Sequence, residues 1–157
     1  MFKAIVVGVD GREGGRDALS LAARLALLAG GELIAVRALS MDTYVVRGGA
    51  PKLDTLAQQD AVRDVERELT AAGITAQVRV VGDSSPARAL HRVAEAGHAD
   101  VIVVGSTHHG TVGRVLAGDD AAATLHGSPC PVAVAPRGLA AAEWRPVQTI
   151  GVGYDAG

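Results

Sequence analysis

The chain has 157 residues, 48% of them hydrophobic but only 3% aromatic, with a formal net charge of −2 and a single cysteine. That length suits one domain with a core of Ala, Val, Leu and Ile. The weak negative charge argues against nucleic acid or an anionic membrane as partner, and one cysteine allows no internal disulfide and fits a reducing cytoplasm. The N-terminal run MFKAIVVGVDG is one strand long and meets Asp10 and Gly11, too short for a signal peptide or a membrane helix.

Residues 3–9 (KAIVVGV) form a nearly continuous apolar run, the pattern of a central parallel strand covered on both faces. From Arg16 to Ala29 the positions Ala18, Leu21, Ala22, Leu25, Leu28 and Ala29 make an amphipathic helical stripe, stopped by Gly30-Gly31. Residues 33–39 (LIAVRAL) read as the second strand. Ser40 to Leu53 is a mixed segment, either a lid or an unstructured excursion.

A helix is predicted over 54–72, with Val62, Val65, Leu69 and Ala72 buried and Gly73 after it. Residues 75–81 (TAQVRVV) alternate, as a strand at a sheet edge would. The turn GDSSP then starts a helix, capped by Ser84 or Ser85 with Pro86 in the first turn, carrying Leu90, Val93 and Ala94 and ending near Gly97.

The stretch VIVVGSTHHGTVGRVLAGDD, residues 101–120, is the one most suggestive of function. A fourth strand stops at Gly105, a glycine-rich polar loop follows, and Gly118-Asp119-Asp120 opens a short helix to about Leu125. Strand, loop and helix N-terminus in that order are where α/β proteins hold anions. A last strand, 132–135, follows Pro129-Cys130-Pro131. The order βαβαβαβαβ implies a doubly wound, mostly parallel sheet, with ligands at the carboxyl ends of its strands. Asp10 and residues 105–118 share one crevice if the first and fourth strands are neighbours.

Several familiar sites fail on the residues. Thr111 stands where a P-loop needs lysine, and no strand is followed by G-x-G-x-x-G or G-x-S-x-G. Asp10 lacks the acidic partner of a phosphoacceptor domain, and Arg137 rather than lysine follows the last strand. His108 and His109 are adjacent, so they point apart, and no further ligand stands at a metal spacing. They read as polar loop residues. Cys130, between prolines, reads as part of a rigid turn, and His91 and His126 as surface or partly buried helix residues. Asp10 keeps two readings side by side, an Asx turn after the strand and a ligand carboxylate.

IVVGVDG, GDSSP, VIVVGS, the 13-residue step from Gly105 to Gly118 and the closing SPCPVAVAP, in this order, resemble the universal stress protein family. The resemblance covers residues 1–137. It implies an α/β, doubly wound five-stranded parallel sheet in order 3-2-1-4-5, adenine-nucleotide alpha-hydrolase-like, with helices on both faces. It also implies a cytoplasmic stress-response module binding ATP or another adenine nucleotide at the ends of strands one and four. Family members that bind ATP carry G-x-x-G, nine residues, then G-[S/T]. Here the pattern reads Gly105-Ser106-Thr107-His108, nine residues, Gly118-Asp119.

By the resemblance Asp10 and Val36 match positions lining the adenine and ribose pocket, and the candidate binding set is Asp10, Val36, Gly105, Ser106, His108, Gly118 and Asp119. His108 crowds a backbone approach that glycine would allow, and a carboxylate at Asp119 competes for helix N–H groups. His108, His109 and Arg114 offer some compensation. Two classes stay open: a nucleotide-binding module with a degenerate phosphate loop, and a stress protein acting by dimerisation and protein association without nucleotide. No catalytic set is legible, and a slow ATPase is the weaker third reading.

The tail repeats the start of the chain. Ile150, Val152, Gly153, Tyr154 and Asp155 lie 145 positions after Ile5, Val7, Gly8, Val9 and Asp10. Residues 138–146 therefore read as a linker, and 147–157 as the first strand of a second repeat in a tandem or pseudo-dimeric protein. The expectation is that about 147–153 adds to the edge of the last core strand, within its own subunit or swapped into a partner.

Overall fold

The computed structural model describes residues 2–40, 44–45, 52–106, 119–143, 145, 149 and 151. Five strands form one parallel sheet: β1 (Ala4–Gly8), β2 (Glu32–Leu39), β5 (Gln77–Gly82), β6 (Val101–Gly105) and β7 (Val132–Ala135). Their order is β5-β2-β1-β6-β7, which is the 3-2-1-4-5 arrangement expected. The first and fourth of these strands are parallel neighbours, with Ile5 opposite Val101 and Val7 opposite Val103. The alternating β5 does lie at an edge.

Side-chain alternation along each strand divides the core in two. Ile5, Val7 and Val9 point to the face covered by α1 (Glu13–Ala29) and α2 (Thr55–Ala72), where Ala18, Leu19, Ala22, Val65 and Leu69 meet them. Val6, Ile102 and Val104 point to the face covered by α3 (Pro86–Ala96) and α4 (Asp119–Leu125), against Leu90, Ala94 and Ala121. Asp54 caps α2 by accepting the Leu56 N–H at 3.0 Å, and Ser85 stands at the N-cap of α3. Gly30 and Gly73 end α1 and α2 in the left-handed conformation, at φ 66°.

The helical stripes follow the sequence in part: Ala18, Leu21, Ala22, Leu25, Val65 and Leu69 do face the core, and the departures lie mostly at the helix ends. In α1 the buried positions include Gly15, Ala18, Leu19 and Ala22, while Leu28 is exposed. Leu19 joins the inward face, and near the end of the helix Leu27 and Leu28 are exposed, so periodicity gives the face but not its full extent. In α2 the seam is Ala61, Val65 and Leu69, and Ala72 is exposed beside the terminating glycine. Within the segment between β2 and α2, residues 44–45 and 52–53 are described. Two-residue strands β3 (Tyr44–Val45) and β4 (Lys52–Leu53) pair antiparallel, apart from the main sheet.

Two carboxylates tie chain segments across the fold. Asp100, before β6, accepts the backbone N–H groups of Lys3 and Ala4 at 2.6 and 3.0 Å, which hold its carboxyl below the usual carboxylate range. Asp17, 1% exposed in α1, accepts the N–H groups of Gly138 and Ala140 at 2.8 and 2.7 Å. That second clasp fixes the 3-10 turn Leu139–Ala141 against α1 just after β7. The tail expected to augment β7 falls outside the described residues, apart from Thr149 and Gly151.

Candidate functional site

Beyond β1 the chain turns sharply into α1. The Asp10 side chain accepts the N–H of Arg12 at 2.9 Å, the Asx turn anticipated for it, and its carboxylate remains exposed. The first turn of α1 lies across the ends of β1 and β6. A Cβ on Gly105 would stand 2.6 Å from the carbonyl carbon of Gly14 and 2.8 Å from its Cα. A Cβ on Gly15 would come within 3.0 Å of the Asp10 backbone nitrogen. Gly105, a member of the candidate binding set, is thus required by the packing of the fold itself. The helix begins at Glu13 rather than Arg16 for the same reason: Gly14 and Gly15 belong to it and let it pack close.

These elements enclose a cavity of about 490 Å³ at the carboxyl ends of the strands. That volume falls in the range of small-molecule sites. Asp10, Val36, Gly105, Ser106 and Asp119 all line it. The remaining members of the candidate set, His108 and Gly118, lie outside the described residues. Sequence reading missed Arg12 and Arg37, which supply cations to the same wall, and Leu90 on α3. Arg37 follows Val36 at the carboxyl end of β2, so its position in a parallel strand was the available signal.

Ser106 is 8% exposed, and its backbone N–H extends the β6–β7 ladder by donating to the Ala135 carbonyl at 3.1 Å. Its hydroxyl oxygen is buried with no hydrogen-bond partner among the described residues. An unpaired buried hydroxyl beside a cavity is a group prepared for a ligand or a water. On the far wall, His91 Nε2 lies 2.8 Å from the Thr124 carbonyl oxygen, joining α3 to α4.

The charge around the cavity is mixed. Arg37 donates to the Val9 carbonyl at 3.5 Å, and Glu68 of α2 stands behind it, near Gly11. Burial raises the Glu68 carboxyl above its ordinary range, against the pull of Arg37 and Arg16, and its Oε2 has no partner among the described residues. At the start of α3, Asp83 is buried beneath Arg88 and Arg92, at 3.5 and 3.0 Å. Burial works against its charge. Hydrogen bonds from Arg92 and the Ser85 N–H, with the charge of Arg88, prevail and hold the Asp83 carboxyl below the usual range.

Among the described residues no three His, Cys, Asp or Glu side chains gather in a metal-binding group. No helix among them is long and apolar enough to cross a membrane.

With this geometry in place, comparison with known proteins is informative. The family model of the universal stress protein family matches residues 1–136. A universal stress protein solved in complex with cAMP is 22% identical, with a TM-score of 0.65 over 87% of this chain and 98% of that one. A universal stress protein from Archaeoglobus fulgidus, in complex with dAMP, is 21% identical, with a TM-score of 0.56 over 85% and 97%. Another, from Archaeoglobus fulgidus DSM 4304, is 24% identical with a TM-score of 0.58, and the match covers 86% of this chain but 44% of that one. Among curated proteins no match is found.

Proposed function

Because the chain belongs to the universal stress protein family, we propose that it is a stress-response module binding an adenine nucleotide in the cavity between the ends of β1 and β6. The observation that carries this reading is the convergence of Asp10, Val36, Gly105 and Ser106 on one cavity in which the buried Ser106 hydroxyl has no partner among the described residues. Relatives of the same fold solved with cAMP and dAMP add support. An exposed carboxylate at Asp10 accepts hydrogen bonds from donors such as a ribose hydroxyl or an exocyclic amine. Val36 and Leu90 offer apolar contact to a base, and Arg12 and Arg37 offer charge to a phosphate.

The phosphate end is where this chain departs from ATP-binding members. Asp119 lines the cavity and opens α4, so its carboxylate both repels phosphate and competes for the N–H groups there. We therefore assign the site to adenylates with few phosphates, with ATP bound more weakly. Binding rather than turnover is its role.

Heat-released nucleotide identified by chromatography, followed by calorimetric titration with AMP, ADP and ATP, tests the assignment. A bound adenylate whose affinity falls on Asp10→Ala supports it. No retained nucleotide and no heat with any adenylate would favour association without nucleotide. Replacing His108 by Gly together with Asp119 by Ser is expected to tighten ATP binding, and no gain would remove those residues as the cause of weak binding.

We also read residues 138–146 as a linker and 147–157 as the start of a second repeat, so that a pseudo-dimer or a homodimer is the working assembly. The echo of IVVGVD in IGVGYD supports this. Mass spectrometry of the natural protein tests it, since a tandem protein has roughly double the mass.

A further inference from the structure

Among the described residues lining the first cavity, the cations are Arg12 and Arg37. Arg37 belongs to β2, where the ladder to β5 sets its backbone opposite Val80. Its position is therefore fixed, and only the side chain decides where its charge goes. The one hydrogen bond on that side chain, from Nη1 to the Val9 carbonyl, is 3.5 Å long, at the weak end of the range.

Gly11 shows what else bears on this guanidinium. A Cβ there would stand 3.4 Å from Glu68 Oε1 and 3.5 Å from Arg37 Nη1, so a carboxyl and a guanidinium flank the same point beside the turn after β1. With φ at 79°, this is a position that glycine fills without strain, and its missing side chain leaves the gap between the two groups open. Glu68 enters from α2 and does not itself line the first cavity. Arg37 of β2 and Arg16 of α1 attract its charge, while Asp10 after β1 and Asp64 on its own helix oppose it. Its Oε2 is buried with no hydrogen-bond partner among the described residues. Its pull on Arg37 is thus one of charge across the gap, and partly buried surroundings screen such a pull less than water does.

We propose that Glu68 sets how strongly the cavity takes a phosphate, by drawing the Arg37 guanidinium toward Gly11 and offsetting its charge. This rests on the nucleotide reading above and adds a specificity-determining residue to it. Glu68 acts as a positioning residue: it touches no base, ribose or phosphate, and it tunes the cation that β2 delivers to the strand ends. Its effect falls on the phosphate alone, because Val36 and Asp10 make their contacts without Arg37. Asp119, which lines the cavity, works in the same direction, so two carboxylates from separate elements disfavour added phosphates.

Calorimetric titration with AMP and with adenosine separates the phosphate from the rest of the nucleotide. Mildly alkaline buffer keeps the Glu68 carboxyl charged. Glu68→Gln preserves the size of the side chain and removes its charge, so it is expected to raise the affinity for AMP several-fold and leave that for adenosine unchanged. In an Arg37→Gln background the same substitution should give no gain. A purely structural role for Glu68 would move both ligands alike. Glu68→Met, as long and also uncharged, gives the same comparison if Glu68→Gln does not fold. No gain for AMP, an equal change for both ligands, or a gain that survives Arg37→Gln would overturn this inference and leave the nucleotide reading standing. Wild-type protein that binds neither AMP nor adenosine would overturn the nucleotide reading and this inference with it.

Discussion

Replacing Asp17 by Ala removes the carboxylate that holds the segment after β7 against α1. The side chain is buried and accepts two backbone N–H groups, from Gly138 at 2.8 Å and Ala140 at 2.7 Å. Hydrogen bonds to a charged acceptor contribute about 1.5–3 kcal/mol each. Two offsets pull the total toward the low end. The freed N–H groups sit on a surface turn and can rehydrate, and the variant no longer carries a desolvated charge. The expected loss is about 3 kcal/mol, which for a chain of this length lowers Tm by roughly 6–12 °C. Asp17→Asn keeps one acceptor oxygen but turns an amide N–H toward the second donor, so it should fall between wild type and Ala. Urea denaturation and thermal melts followed by circular dichroism give both values. A loss under about 1 kcal/mol for Asp17→Ala, the worth of an exposed pair, would refute the clasp as a structural tie.

Other expectations follow from the same structure. Gly105→Ala places a methyl against the Gly14 backbone, which cannot yield as a side-chain tip could, so a cost of about 1–3 kcal/mol is expected in denaturant titration, together with weakened nucleotide binding. Asp83 has a lowered carboxyl pKa, so its stabilisation is complete above the ordinary carboxylate range and is lost as pH falls through the lowered value. Arg92→Gln removes its nearest cation and should move that acid loss to higher pH in melts taken across the acid range. Glu68 is the opposite case: its raised pKa means stability is lost as pH rises from the ordinary carboxylate value through the raised one. Glu68→Gln should therefore be more stable than wild type at neutral pH and lack that decline.

Much of the architecture was local information. The apolar run at residues 3–9 required a strand covered on both faces, and it is the central β1. Alternation in 75–81 required a half-covered strand, and β5 is an edge. Gly30, Gly73, Ser85 and Pro86 marked helix ends because capping and left-handed turns are properties of a few adjacent residues. The candidate residues Asp10, Val36, Gly105, Ser106 and Asp119 could be singled out one by one from strand ends and from the family pattern.

Tertiary structure alone decided what those residues do to one another. Gly105 is needed because Gly14 lies against it, a contact between positions 91 residues apart that no local pattern records. Nothing adjacent in the sequence sets Asp17 apart, and only the return of the chain at Gly138 makes it a buried acceptor. Along α1 the periodic stripe of Ala18, Leu21, Ala22 and Leu25 gave the inward face, but that Leu19 joins it while Leu28 stays exposed was settled by how the sheet and α2 pack. Spacing along the chain determines which groups point the same way within an element. Which groups end within a hydrogen bond or a van der Waals radius depends on how the elements close upon each other, and that is a property of the assembled fold.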